Sequence, residues 1–97
     1  MFMGLEELKA RREEILRIAR RRGARNVRVF GSMARGEADA TSDVDFLVRL
    51  DPGVTLFQHA ALSRELAALL GCKVDVISER GLRPRIRDQV LAQAIPL

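Results

Sequence analysis

The stretch Ser42-Asp43-Val44-Asp45-Phe46-Leu47-Val48-Arg49-Leu50 decides how this chain is read. Alternation of period two from Asp43 to Leu50 predicts a strand, with Val44, Phe46 and Val48 on one face and Asp43, Asp45 and Leu47 on the other. The pleat then sets two carboxylates on a single face. Like charges held together repel, so such a pair calls for a cation or another compensating partner. Oxygen ligands suit a hard divalent ion such as magnesium. Alone, Asp-x-Asp is common and its ordinary meaning is a solvated loop pair, so its flanks carry the weight.

Downstream, Asp51-Pro52-Gly53 is a turn. Thr55-Leu56-Phe57-Gln58 has the capping-box pattern, opening a helix that carries Leu62, Leu66, Leu69 and Leu70 and stops at Gly71. Lys73 to Ile77 is the next strand, with Asp75 at its middle between Val74 and Val76. This strand–helix–strand unit over 43–77 predicts a right-handed parallel crossover. Parallel pairing would lay Asp75 beside Asp43 and Asp45, and three carboxylates on adjacent strands can hold two metals roughly 3.5–4 Å apart. The plainer alternative for Asp75 is an exposed sheet edge. Pro84 opens a last helix with apolar positions Ile86, Val90, Leu91 and Ala94.

Upstream, residues 5–22 read as one helix, with Leu5, Leu8, Ile15, Ile18 and Ala19 at helical spacing. Asn26 to Phe30 is a short strand, and 31–42 a structured loop. Its first part, Gly31-Ser32-Met33-Ala34-Arg35-Gly36, can offer backbone N–H groups and a hydroxyl to phosphate oxygens, with Arg35 adding a charge-assisted contact. It lacks the Gly-Lys-Ser/Thr of a Walker P-loop. The element order is α-β-loop-β-α-β-α: an α/β (α+β) domain spanning 1–97, with helices packed on a three-stranded sheet.

Composition agrees with one folded unit. The 97 residues are 47% hydrophobic and 31% charged, too short for a second lobe and too apolar for disorder. No apolar run reaches the ~18 residues of a membrane span, and the N-terminus turns acidic at Glu6-Glu7, so a cytoplasmic protein is expected. The single Cys72 excludes an internal disulfide and a cysteine zinc cluster; it reads as a small packing residue. The net charge of +4 is uneven: arginines crowd 11–28 and carboxylates crowd 37–51. The basic stretch could attract nucleic acid or triphosphate, but no aromatic residue stands among its arginines to stack bases, which favours a solvated helix face. His59 reads as a surface or packing residue, Phe46 and Phe57 as core, and Lys73 either as a phosphate contact or as relief for Asp75. Ile95-Pro96-Leu97 is either a frayed end or part of a partner surface.

Gly31-Ser32-Met33-Ala34-Arg35-Gly36, Ser42-Asp43-Val44-Asp45 and Val74-Asp75-Val76, in this order and spacing, resemble the minimal nucleotidyltransferase (MNT) family of the DNA polymerase beta superfamily. The resemblance covers essentially the whole chain. It implies a mixed sheet whose first strand runs antiparallel to the other two. It implies Asp43, Asp45 and Asp75 as catalytic carboxylates: the first two ligate two magnesium ions, and Asp75 ligates the one that activates the acceptor hydroxyl. Gly31 and Ser32 would hold the β- and γ-phosphates of ATP or another NTP, with Arg35, Gly36 and Ser42 completing the nucleotide-binding set. The partner implied is a HEPN-type toxin, whose tyrosine some relatives silence by transferring AMP to it.

Three functions follow as expectations. The first is a magnesium-dependent nucleotidyltransferase modifying a hydroxyl of a partner protein, since 97 residues leave no room for an acceptor-binding domain. The second is an antitoxin that acts by occlusion with its catalytic face idle. The third is nucleotidyl transfer to RNA or a small molecule. Hetero-oligomer and homo-oligomer both remain open.

Overall fold

Residues 4–37 and 43–97 are described by a computed structural model. Along the chain run α1 (Leu5–Ala10), α2 (Arg12–Arg21), β1 (Ala24–Phe30), β2 (Val44–Leu50), α3 (Leu56–Leu70), β3 (Val74–Ser78), a 3-10 turn (Glu79–Gly81), α4 (Pro84–Gln93) and β4 (Ile95–Pro96). The sheet order is β3-β2-β1-β4. β2 and β3 are parallel and β1 is antiparallel to β2, so the mixed sheet is as expected.

The core forms on the face of β2 that carries Val44, Phe46 and Val48, all at most 1% exposed. Leu8, Ile15 and Ala19 from α1 and α2, Val29 from β1, and Leu62 and Leu66 from α3 close over it. Burying a side chain the size of Phe46 is worth about 1.5–3 kcal/mol. The capping box of α3 is present: Thr55 Oγ1 accepts from the Gln58 N–H at 3.2 Å, and Gln58 Oε1 accepts from the Thr55 N–H at 3.3 Å. Gly71, in the left-handed region at φ 69°, ends the helix. Glu65 on α3 accepts hydrogen bonds from both Arg21 and Arg22, tying the end of α2 to α3.

Four expectations need correction. The first helix is two, broken at Arg11 (φ −106°, ψ 17°), and Leu8 and Ile15 are fully buried on either side of the break. The C-terminal Ile95-Pro96 is neither frayed nor free: it is a fourth strand antiparallel to β1, and Leu97 donates its N–H to Val27 O at 3.0 Å. An open strand edge has unpaired backbone groups, and the apolar terminus satisfies some of them. Phe57 is not core but 86% exposed, because it lies off the helical face shared by Leu62, Leu66 and Leu70. Finally, α4 buries no residue and Ile86 stays 45% exposed, so this helix does not join the core. Among the described residues, no helix is long and apolar enough to cross a membrane.

Candidate active site

The parallel register of β2 on β3 runs Val44↔Val74, Asp45↔Asp75, Phe46↔Val76. Asp45 and Asp75 are therefore direct neighbours, about 4.8 Å apart at the backbone and on the sheet face away from the core. Asp43 lies two residues back on β2's side of the pair. On the opposite flank, Phe30 of β1 is the register partner of Asp45, so the chain leaves β1 right beside that carboxylate. Asp75 is the second residue of a five-residue edge strand rather than its middle, and it is exposed rather than embedded among valines.

Electrostatics follow from this crowding. Burial, then the neighbouring Asp75 and Asp43 charges, push the Asp45 carboxyl above its ordinary pKa, and Arg35 pulls it back in part. Lys73 Nζ stands 3.7 Å from Asp43 Oδ2, so it relieves Asp43 rather than Asp75. Among the described residues, no three Asp, Glu, His or Cys side chains gather tightly enough to ligate one ion as they stand.

The turn after β1 is built against the same carboxylate. Gly31 has φ 75°, and a Cβ placed there would collide with Asp45 Oδ2. Only glycine meets both conditions. The turn is closed by backbone hydrogen bonds from the Arg35 N–H to Gly31 O (3.1 Å) and from the Glu37 N–H to Ser32 O (2.9 Å). Met33, 2% exposed, pins it to the core. Arg35 donates through Nε to Glu37 at 3.0 Å, and Gly36 holds φ 73° with open space around it. Ser42 lies outside the described residues. The structure thus brings Asp43, Asp45, Asp75, Gly31 and Arg35 to one end of the open face, with Ser32 on the same turn.

His59 is no base here: its Nε2 lies 2.7 Å from Val76 O, a contact that requires the proton on Nε2 and fastens α3 to β3. Burial and Asp43 raise the Cys72 thiol's pKa, which keeps it un-ionised and unreactive. A feature missed in the sequence is Arg28, 9% exposed on β1 beside its register partner Leu47 and ion-paired to Glu79 of the 3-10 turn. An arginine between Val27 and Val29 was the only local signal; its partner is 51 residues away.

A nucleotidyltransferase domain model matches residues 12–97. The chain belongs to the nucleotidyltransferase family. Within it, a Methanocaldococcus jannaschii relative provisionally named a protein adenylyltransferase is 34% identical over 93 residues, 96% of this chain and 97% of that one. A Thermococcus cleftensis relative named protein adenylyltransferase MntA is 40% identical over 73 residues, covering 75% of this chain and 74% of its own. A solved structure provisionally described as a minimal nucleotidyltransferase superposes with a TM-score of 0.89 at 58% identity, covering 98% of this chain and 97% of that one. A toxin–antitoxin complex solved with AMP-PNP shares the nucleotidyltransferase fold at TM-score 0.75 and 23% identity, over 87% of this chain and 69% of that one.

Proposed function

We propose that this nucleotidyltransferase is a magnesium-dependent protein adenylyltransferase, moving AMP from ATP to a hydroxyl of a partner protein, and that the partner is a HEPN-type toxin for which it is the antitoxin. The carrying observation is the Asp45↔Asp75 register, with Asp43 two residues away and the Gly31 turn pressed against Asp45. Relatives named protein adenylyltransferase support the reaction class. Crystallised toxin–antitoxin complexes sharing the fold support the partner class.

The residues suit a hard cation. Three carboxylates supply oxygen donors, and Asp45, its carboxyl raised by burial and then by the charges of Asp75 and Asp43, stands where a cation would offset both effects. Asp43, Asp45 and Asp75 would hold magnesium. Bound there, magnesium would lower the pKa of the acceptor hydroxyl and neutralise the departing pyrophosphate. Gly31 and Ser32 present N–H and hydroxyl donors to the β- and γ-phosphates, and Arg35 is near enough to Asp45 to add a cation on the same side. Asp75, exposed on the edge strand, is the carboxylate assigned to take the acceptor's proton. The acceptor oxygen bonds to the α-phosphorus as the bond to pyrophosphate breaks.

The test is transfer of α-labelled AMP from ATP and magnesium to the co-purified or neighbouring-gene partner. Wild type should label it and Asp45→Ala should not; absence of label with both defeats the catalytic reading. Occlusion without chemistry is the second reading, favoured by α4, which buries nothing and leaves Ile86 exposed as contact surface. Under it, Asp43→Ala still neutralises the partner at equal molar ratio.

A further inference from the structure

The open face carries a second feature at the opposite end of β2 from the carboxylates. A cavity of about 380 Å³ is lined by Arg49, Leu50, Ser78, Glu79, Arg80 and Arg87. Three structural pieces meet there: the end of β2, the junction of β3 with the 3-10 turn, and α4. Arg49 shares the face of Asp43, Asp45 and Leu47 by strand alternation and lies about 13 Å along β2 from Asp45 at ~3.3 Å per residue.

Charge in this cavity is unbalanced. Glu79, its one carboxylate among the described residues, is already engaged by Arg28. Among the described residues, Arg49, Arg80 and Arg87 make no ion pair. Ser78 Oγ accepts from the Arg80 N–H at 3.3 Å, which leaves its O–H free to donate. A neighbouring concavity shares Arg49, Leu50 and Arg80 and extends the cationic floor toward Arg25, which is neutralised by Asp51 at 2.9 Å. Three solvated arginines and a serine hydroxyl line one cavity. They form a set of forked donors suited to the oxygens of a multiply charged anion.

We propose that this cavity is a second anion site, taking a phosphate-bearing small ligand of the pyrophosphate or nucleotide class, separate from the triphosphate turn at Gly31-Ser32. A triphosphate held on that turn sits beside Asp45, at the other end of the strand, so the two sites bind independently. Among the described residues, no aromatic side chain lines the cavity, which argues against stacked nucleic-acid bases as its occupant.

The test is calorimetric titration of the full chain with inorganic pyrophosphate, free of divalent metal and at fixed ionic strength. Wild type should show a saturable site that Arg49→Gln/Arg87→Gln weakens about tenfold or more. Ser32→Ala should leave that site intact. All three arginines are exposed, so the double variant should keep the wild-type circular dichroism and melting temperature. Absence of saturable binding, or equal affinity in the double variant, overturns the proposal. Loss of the site in Ser32→Ala also overturns it, by placing the anion on the turn after β1. Binding of single-stranded RNA that depends on the two arginines, without binding of pyrophosphate, replaces the small ligand with nucleic acid. None of these outcomes depends on AMP transfer.

Discussion

The two faces of the sheet obey opposite rules. On the helix-covered face, Val44, Phe46 and Val48 are sealed under α1, α2 and α3, and the charges at its rim are matched, as Glu65 is by Arg21 and Arg22. On the open face, Asp43, Asp45 and Asp75 crowd one end, while Arg49, Arg80 and Arg87 line a cavity at the other. Between these ends the face is closed: Leu47 is 0% exposed, and its register partner Arg28, 9% exposed, pairs with Glu79, so this face is open only at its two ends. The covered face holds the fold together. The open face carries like charges that stability alone would not keep adjacent, which is the mark of a surface kept for ligands.

The contrast can be broken or sharpened by substitution. Phe46→Ala on the covered face should cost about 3–5 kcal/mol in chemical denaturation, much of what a domain this size has. A loss below about 1 kcal/mol would mean that this face is not the core. Asp45→Asn on the open face should do the reverse. AMP transfer should fall about a thousandfold or more, equivalent to about 4 kcal/mol. Stability without metal should stay level or rise by about 1 kcal/mol at pH 7. The sign follows from the raised pKa: the folded state holds the Asp45 proton more tightly than the unfolded chain does. Its favourable contribution is therefore complete below about pH 3.9 and is lost as pH rises through the folded-state value. The gain from Asn should vanish in acid; a variant less stable than wild type at pH 7 would remove the charge-crowding account.

Gly31→Ala should cost about 1–2 kcal/mol in stability, mostly from left-handed strain, with a smaller addition because the Asp45 carboxylate must swing aside. Gly36→Ala, with a similar φ but open space, should cost only about 1 kcal/mol. Equal losses would mean that the turn does not press on the carboxylate. The smallest effect belongs to the rim of the covered face. Hydrogen bonding from Arg22 lowers the Glu65 pKa, so its contribution is present above the unfolded value near 4.5 and fades as pH falls through the folded one. Glu65→Gln should cost less than about 1 kcal/mol at pH 7 and nothing near pH 3, read from melts across that range.

What could be read early was whatever short-range pattern encodes. Alternation in 43–50 assigned Val44, Phe46 and Val48 to the core, the Thr55–Gln58 box started α3 where it starts, and Gly31 marked the turn. Periodicity also misled. Residues 5–22 keep a helical spacing through a break at Arg11, because a kink that preserves the buried side of both halves leaves that spacing intact. Phe57 looked like core only because it is aromatic; its place on α3 exposes it.

The sequence by itself determined the three strands β1 to β3, the cap of α3 and the chemical character of each face of β2, because these depend on neighbours within a few positions. Only the tertiary structure decided that Asp45 meets Asp75 across thirty positions of chain, that Ile95-Pro96 completes the sheet, that Arg28 finds Glu79, and that α4 leaves all its residues at least partly exposed. Each of those depends on strand register and on which surfaces remain open once the core has closed, and no local pattern of side chains carries that information.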